Sequence, residues 1–231
     1  MAPGTHACIG WWVANLESLS RRDRLVLFLA GVLPDLDGLP LFWDVNLYIT
    51  YHHVLFHNLL GCVIWTAVVA VVAQQRRVCA TLAALSWHIH LACDYFGSGG
   101  GDGSVWVLPY LFPAVGGWAG DEFVGPRWYW NPWQWPLNGW QNMVASLLGA
   151  AMWIYIAVRL DRTPFEVVSP WFDREVCKML RRWARGGPPS ERWPPAEARW
   201  MRRAFVAVTC VAVLACAAAG ARAMMGSGVA H

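Results

Sequence analysis

Apolar residues run in long blocks along this chain, and the breaks between blocks predict helices joined by short polar turns. Residues 5–19 (THACIGWWVANLESL) read as a short helix with Thr5 at its start, and their apolar positions are too few to cross a bilayer alone. Ser20, followed by Arg21, Arg22 and Asp23, predicts the cap of a second helix. Its apolar run, 24–33, stops at Pro34, because the residue before a proline avoids helical angles. Asp35-Leu36-Asp37-Gly38 is then a turn or a broken helix. Residues 54–73 form the first span-length block, ended by Gln74-Gln75-Arg76-Arg77, and 78–96 run back as a second span with Gly97 as its cap. The segment 97–139 turns glycine-rich and then crowded with Pro and Trp (WYWNPWQWPLNGW), which predicts loops and short interfacial helices. A third span covers 140–160 and a last, Ala-rich one covers 204–221. Between them, 161–203 is the most charged stretch, with an amphipathic piece at FDREVCKMLRRW and a linker at RGGPPSERWPP. No internal repeat interrupts this order.

The pattern predicts an all-α fold: a multi-pass transmembrane helical bundle with short broken helices and a Trp/Pro-rich extramembrane loop. It divides into a membrane-embedded helical domain (1–160), a basic cytoplasmic linker with amphipathic segments (161–203), and a C-terminal transmembrane helix with its tail (204–231). Composition agrees. Of 231 residues, 57% are apolar and only 14% charged, which excludes an ordinary soluble domain. The 17 Trp suit a chain with two membrane–water interfaces. A net charge of +3, unevenly spread, gives no reason to expect a nucleic-acid partner. The seven Cys form no C-x-x-C pair and mostly sit in apolar runs, so they read as small buried hydrophobes. No secretory signal peptide is expected, because the N-terminal stretch lacks a basic start, a clean apolar core and a cleavage site.

Basic residues predict orientation. Arg21, Arg22 and Arg24, then Arg76 and Arg77, then Arg159, Arg162, Arg181, Arg182 and Arg185 mark ends expected to face the cytoplasm of a cell-membrane protein. The opposite, extracytoplasmic side then receives Asp35 and Asp37, His53 and His57, and His90 and Asp94. Three separate segments thus deliver imidazoles and carboxylates to one side.

Those side chains are the candidate chemistry. An ionised Asp near a bilayer centre costs about 2.5–3.5 kcal/mol on the insertion scale. Several such groups in one region need a compensating partner, and a divalent cation suits Asp and His together. His90 and Asp94 are four apart and share a helix face, as do His53 and His57. His52 and His57 are five apart, about 140° around a helix, so His52 converges only from a preceding loop. A turn brings Asp35 and Asp37 to a common point, and His6 approaches from the first short helix. Singly, each has a plainer reading: a lone membrane His is usually a hydrogen-bonded core residue, and Asp37-Gly38 is ordinary turn chemistry. His88, two residues from His90 and on the opposite helix face, keeps that plainer reading. Jointly, clustered ionisable groups inside membrane spans are functional by default.

At these positions the sequence resembles the membrane-bound metal-dependent hydrolase family. The family pattern is an early histidine, P-D-x-D, H-R-x-x-x-H-S, and H-x-x-x-D followed by glycine. Here it reads His6, Pro34-Asp35-Leu36-Asp37, His52-His53-Val54-Leu55-Phe56-His57-Asn58, and His90-Leu91-Ala92-Cys93-Asp94 with Gly97. His53 stands in place of the arginine and Asn58 in place of the serine. The resemblance implies His52 and His57 as a ligand pair, whereas helix spacing favours His53 and His57; all three are retained.

The expected metal ligands are therefore His6, Asp35, Asp37, His52, His57, His90 and Asp94, holding one or two divalent ions, with zinc foremost and manganese or iron as options. Asp37 is the expected proton acceptor, and His53 the residue expected to meet a substrate anion or the metal. The expected activity is hydrolysis of an ester or phosphoester of an amphiphilic substrate by metal-activated water. The competing expectation is a non-catalytic metal-binding membrane protein or a transporter. A carrier should show polar residues through its spans, yet 60–73 offers only Thr66, and 144–158 only Ser146 and Tyr155.

Overall fold

The computed structural model describes residues 3–97, 109–114, 139–184 and 193–226. Chain order is α1 (Pro3–Ala14), α2 (Arg21–Ala30), a 3-10 helix η1 (Leu33–Phe42), α3 (Val45–Tyr51), α4 (Leu59–Val72), α5 (Arg76–Gly97), α6 (Gly139–Leu160), a 3-10 turn η2 (Pro164–Val167), α7 (Pro170–Ala184) and α8 (Pro195–Gly226). Among the described residues there is no strand, so the all-α expectation stands. Most of the expected Trp/Pro-rich loop, 97–139, lies outside the described residues.

Each helix buries one stripe against its neighbours. Trp11 of α1, Leu27 of α2, Ile89 of α5, Ile156 of α6 and Met201 of α8 are all at or near zero exposure in one continuous core. The helix α5 packs on both α4 and α8, while α1 lies between α2 and α6. The α1–α2 contact depends on two glycines. A Cβ on Gly31 would stand 2.6 Å from the Gly10 Cα, and one on Gly10 would stand 2.8 Å from the Phe28 carbonyl oxygen. Only bare backbone lets these helices cross so closely.

Helix ends follow local chemistry. The Ser20 hydroxyl accepts from the Asp23 amide at 3.2 Å, as the sequence predicts. Buried Asp23 then accepts from the Gln74 and Gln75 amides at 2.7 and 3.2 Å, clasping the α4–α5 turn to α2. Thr5, expected to start α1, sits inside it and bonds Ser146 of α6 at 2.7 Å.

Three boundaries differ from the pattern-based expectation. First, α4 begins at Leu59 rather than 54, because the Asn58 side chain accepts from the Gly61 amide and its Nδ2 donates to the Val54 and Leu55 carbonyls. Residues 52–58 are therefore irregular, and helix spacing among His52, His53 and His57 does not apply. At 14 residues α4 is about 21 Å long, shorter than a bilayer core. Second, α2 ends at Ala30 and bends by 62° into η1, so the expected break is an angled second helix that carries both Asp35 and Asp37. Third, α8 starts at Pro195, with its charged first turns continuing into the apolar run expected from 204.

Among the described residues, two helices are long and apolar enough to cross a membrane, Met143–Leu160 and Pro195–Ala217, and the bent α2–η1 pair makes a third if counted as one broken span.

Arg24, expected as a topology signal, is buried. Its guanidinium makes a two-pronged pair with Glu166 of η2 at 2.6 and 2.8 Å and donates to the Leu19 carbonyl. Arg159 and Tyr155 of α6 hold Glu197 at the start of α8.

Candidate metal centre

The site is assembled by four elements. α1 supplies His6; η1 supplies Asp35 and Asp37; the α3–α4 connection supplies His52, His53 and His57; α5 supplies His90 and Asp94. His6, Asp37, His53, His57, His90 and Asp94 are buried, while Asp35 and His52 are partly exposed.

At the centre, three atoms form a nearly equilateral triangle. His57 Nε2 lies 3.1 Å from His90 Nε2, and Asp94 Oδ2 lies 3.2 Å from the first and 3.1 Å from the second. Asp35 Oδ1 caps this triangle at 3.7 Å from each nitrogen. His6 Nε2 meets the other oxygen of Asp94 at 3.0 Å, and its ring stacks on His90 with centroids 3.8 Å apart.

Hydrogen bonding fixes which nitrogen of each ring is available. His90 Nδ1 lies 2.9 Å from the Gly31 carbonyl oxygen, which only accepts, so Nδ1 carries the hydrogen. His57 Nδ1 lies 2.9 Å from Asp37 Oδ2 and donates to it. In the neutral rings both Nε2 atoms therefore present lone pairs, and these face each other. Two lone pairs at 3.1 Å repel unless a proton or a cation lies between them. Two imidazole nitrogens at about 2.0–2.1 Å on a tetrahedral zinc would be about 3.3 Å apart, close to this spacing. Two buried polar atoms, His6 Nδ1 and Asp35 Oδ2, have no hydrogen-bond partner. The donor set, its spacing and these orphans fit a cation.

Donor atoms fall into two groups, each within 4.8 Å: His6, Asp35, His90 and Asp94; and His53, His57 and Asp94. Asp94 belongs to both. Asp37 and His52, expected as ligands, belong to neither. Both Asp37 oxygens are already engaged, by His52 Nδ1 at 2.9 Å, His57 Nδ1 at 2.9 Å and the Phe56 amide at 3.2 Å. That leaves Asp37 behind His57, orienting it, the arrangement common around metal-bound histidines. His53, at φ 69°, is turned into the cluster by left-handed backbone, and its ring lies 4.4 Å from that of His57. His88 stays outside, bonded to the Ala84 carbonyl and the Tyr110 hydroxyl, as its helix position predicts.

Two contributors escaped the sequence reading. The Gly31 carbonyl fixes the His90 ring, and Tyr48 stacks on His52 with centroids 4.7 Å apart. Backbone acceptors carry no residue-type signature, so only the H-x-x-x-D helix hinted at a partner.

Helices of bilayer length surrounding a buried His/Asp cluster define a helical membrane protein with candidate metal-binding groups. The chain belongs to the YdjM inner membrane protein family, whose model matches residues 1–223, and this bears out the resemblance drawn from the motifs. No curated protein and no solved structure matches.

Proposed function

We propose that this inner-membrane protein is a metal-dependent hydrolase acting on an ester or phosphoester. The observation that carries the reading is the triangle of His57 Nε2, His90 Nε2 and Asp94 Oδ2, capped by Asp35 and with both imidazoles locked in the metal-binding tautomer. His57, His90 and Asp94, with Asp35 and His6, would hold the first ion, and His53 with Asp94 would help to hold a second; zinc suits this N/O set best. Bound there, such ions lower the pKa of water toward 7 and polarise a carbonyl or phosphoryl oxygen.

The remaining work belongs to the chain. Asp35 Oδ2 has no hydrogen-bond partner of its own, so it takes the proton of the attacking water. The water oxygen forms its bond to carbon or phosphorus, the bond to the leaving oxygen breaks, and Asp35 returns the proton to that oxygen. Asp37 is a positioning residue: it holds His57 and His52. This replaces the sequence-based expectation that Asp37 is the base.

Purified full-length protein should contain one to two equivalents of divalent metal by mass spectrometry, and Asp94→Ala should contain almost none. A panel of chromogenic phosphodiesters and carboxylic esters should show metal-dependent turnover in the first and none in the second. Stoichiometric metal without turnover on any substrate would favour a non-catalytic metal-binding role.

A further inference from the structure

Only two residues of the cluster reach the surface: the side chains of Asp35 and His52 are each 12% exposed, against 0–1% for His6, Asp37, His57, His90 and Asp94. The opening therefore lies between η1 and the α3–α4 connection. Its surroundings are apolar. Leu36, Leu39 and Phe42 of η1, then Trp43, Leu47 of α3 and Phe56 of the connection are all exposed, Phe42 by 82% and Trp43 by 67%. A patch of this kind marks a macromolecular or membrane contact.

Three further observations select lipid. The α2–η1 pair passes as a bilayer segment by composition despite its bend. The helix α4, which begins three residues after Phe56, turns Leu60, Val63 and Ile64 outward. The sequence from 25 to 75 contains no Lys or Arg, so η1, α3 and the α3–α4 connection offer no such side chain with which to seat a soluble polyanion.

We infer that the centre opens sideways into the lipid and that its substrate is a membrane lipid bearing a monoanionic phosphodiester. This rests on the hydrolase reading above. Acyl chains lie along Leu39, Phe42, Trp43 and Leu47, and the phosphodiester enters past Asp35 and His52. Charge agrees: two divalent ions set against the carboxylates of Asp35, Asp37 and Asp94 leave one positive charge, which a monoanionic phosphodiester neutralises. A phosphate monoester would bring a second negative charge with no Lys or Arg among residues 25–75 to meet it.

The test uses full-length protein in phosphatidylethanolamine/phosphatidylglycerol vesicles doped with a diazirine-bearing phospholipid. Photolysis and peptide mapping should label residues 36–56 as well as the span 143–160. Labelling of 143–160 with 36–56 clean overturns the inference, whether or not the protein turns over a soluble phosphodiester. Separately, Phe42→Ser/Trp43→Ser should lower the ratio of kcat/KM on vesicle phospholipid to kcat/KM on bis(4-nitrophenyl) phosphate by about tenfold. An unchanged ratio overturns the lipid-contact role of these residues. Labelling of 36–56 without turnover of either phosphodiester sinks the hydrolase reading and the substrate assignment with it.

Discussion

The Nε2 atoms of His57 and His90 stand 3.1 Å apart although 33 residues separate them in sequence, and each ring has its other nitrogen tied to a fixed acceptor. In the neutral rings such an arrangement holds two lone pairs together. A cation between them would turn that repulsion into attraction, so metal binding and folding should be linked. Chelation should lower the Tm of the detergent-solubilised protein. Restoring zinc at about one hundred times its Kd should return about 2.7 kcal/mol of stability. A Tm indifferent to chelator and to zinc would remove the metal from the account.

Asp37 and Asp94 should separate cleanly by variant. Asp37→Asn removes the charge behind His57 but leaves the donor atoms in place, so metal affinity should fall by about 10–100-fold with binding still measurable. Asp94→Ala removes the carboxylate common to both groups and should abolish stoichiometric binding. Competition with a fluorescent chelator reads both. Equal effects would mean that Asp37 is itself a ligand.

Gly31→Ala tests how the centre is positioned. The added methyl would meet the Gly10 Cα at 2.6 Å and the His6 carbonyl oxygen at 3.1 Å, so α1 must move. Overpacking of this kind costs about 1–3 kcal/mol. Because α1 carries His6, weaker metal binding should accompany the lower Tm. A stability loss with metal affinity unchanged would show that His6 is dispensable to the ion.

The pair Arg24–Glu166 offers a test far from the metal. Both side chains are nearly buried, at 10% and 11% exposure, so Arg24→Met alone strands a carboxylate and should cost about 3–5 kcal/mol. The double variant Arg24→Met/Glu166→Leu strands nothing and should recover most of that loss. Denaturation in mild detergent measures each. A double variant as weak as the single one would mean that Arg24 matters through its bond to the Leu19 carbonyl instead.

Much of this fold was legible because hydrocarbon-length runs and helix signals coincide. The spacing of His90 and Asp94 and the Ser20 cap express local rules, and local rules survive folding. The reading failed at 52–58, where Val54-Leu55-Phe56 looks like the start of a helix. Two polar side chains reverse that: Asp37 takes the Phe56 amide, and Asn58 caps the helix five residues later than expected. An Asn ahead of Leu-Leu-Gly was the available clue. The hydrogen bonds of Asp37 to His52 and His57 were hidden for a different reason. Whether a carboxylate faces an ion or an imidazole depends on where distant segments stop, and composition does not encode that. The early start of α8 was masked in the same way, since Glu197, Arg199, Arg202 and Arg203 obscure an apolar stripe that begins at Met201.

Every imidazole and carboxylate of the cluster comes from positions 6 to 94. During synthesis the ribosome has therefore made all of these described donors before the first residue of α6 exists. The three later α-helices can brace the centre, as α6 does through Ser146 against Thr5, but they contribute no atom to it. A chain stalled or cut beyond α5 would still present every one of these eight side chains at the translocon, well ahead of its own completion.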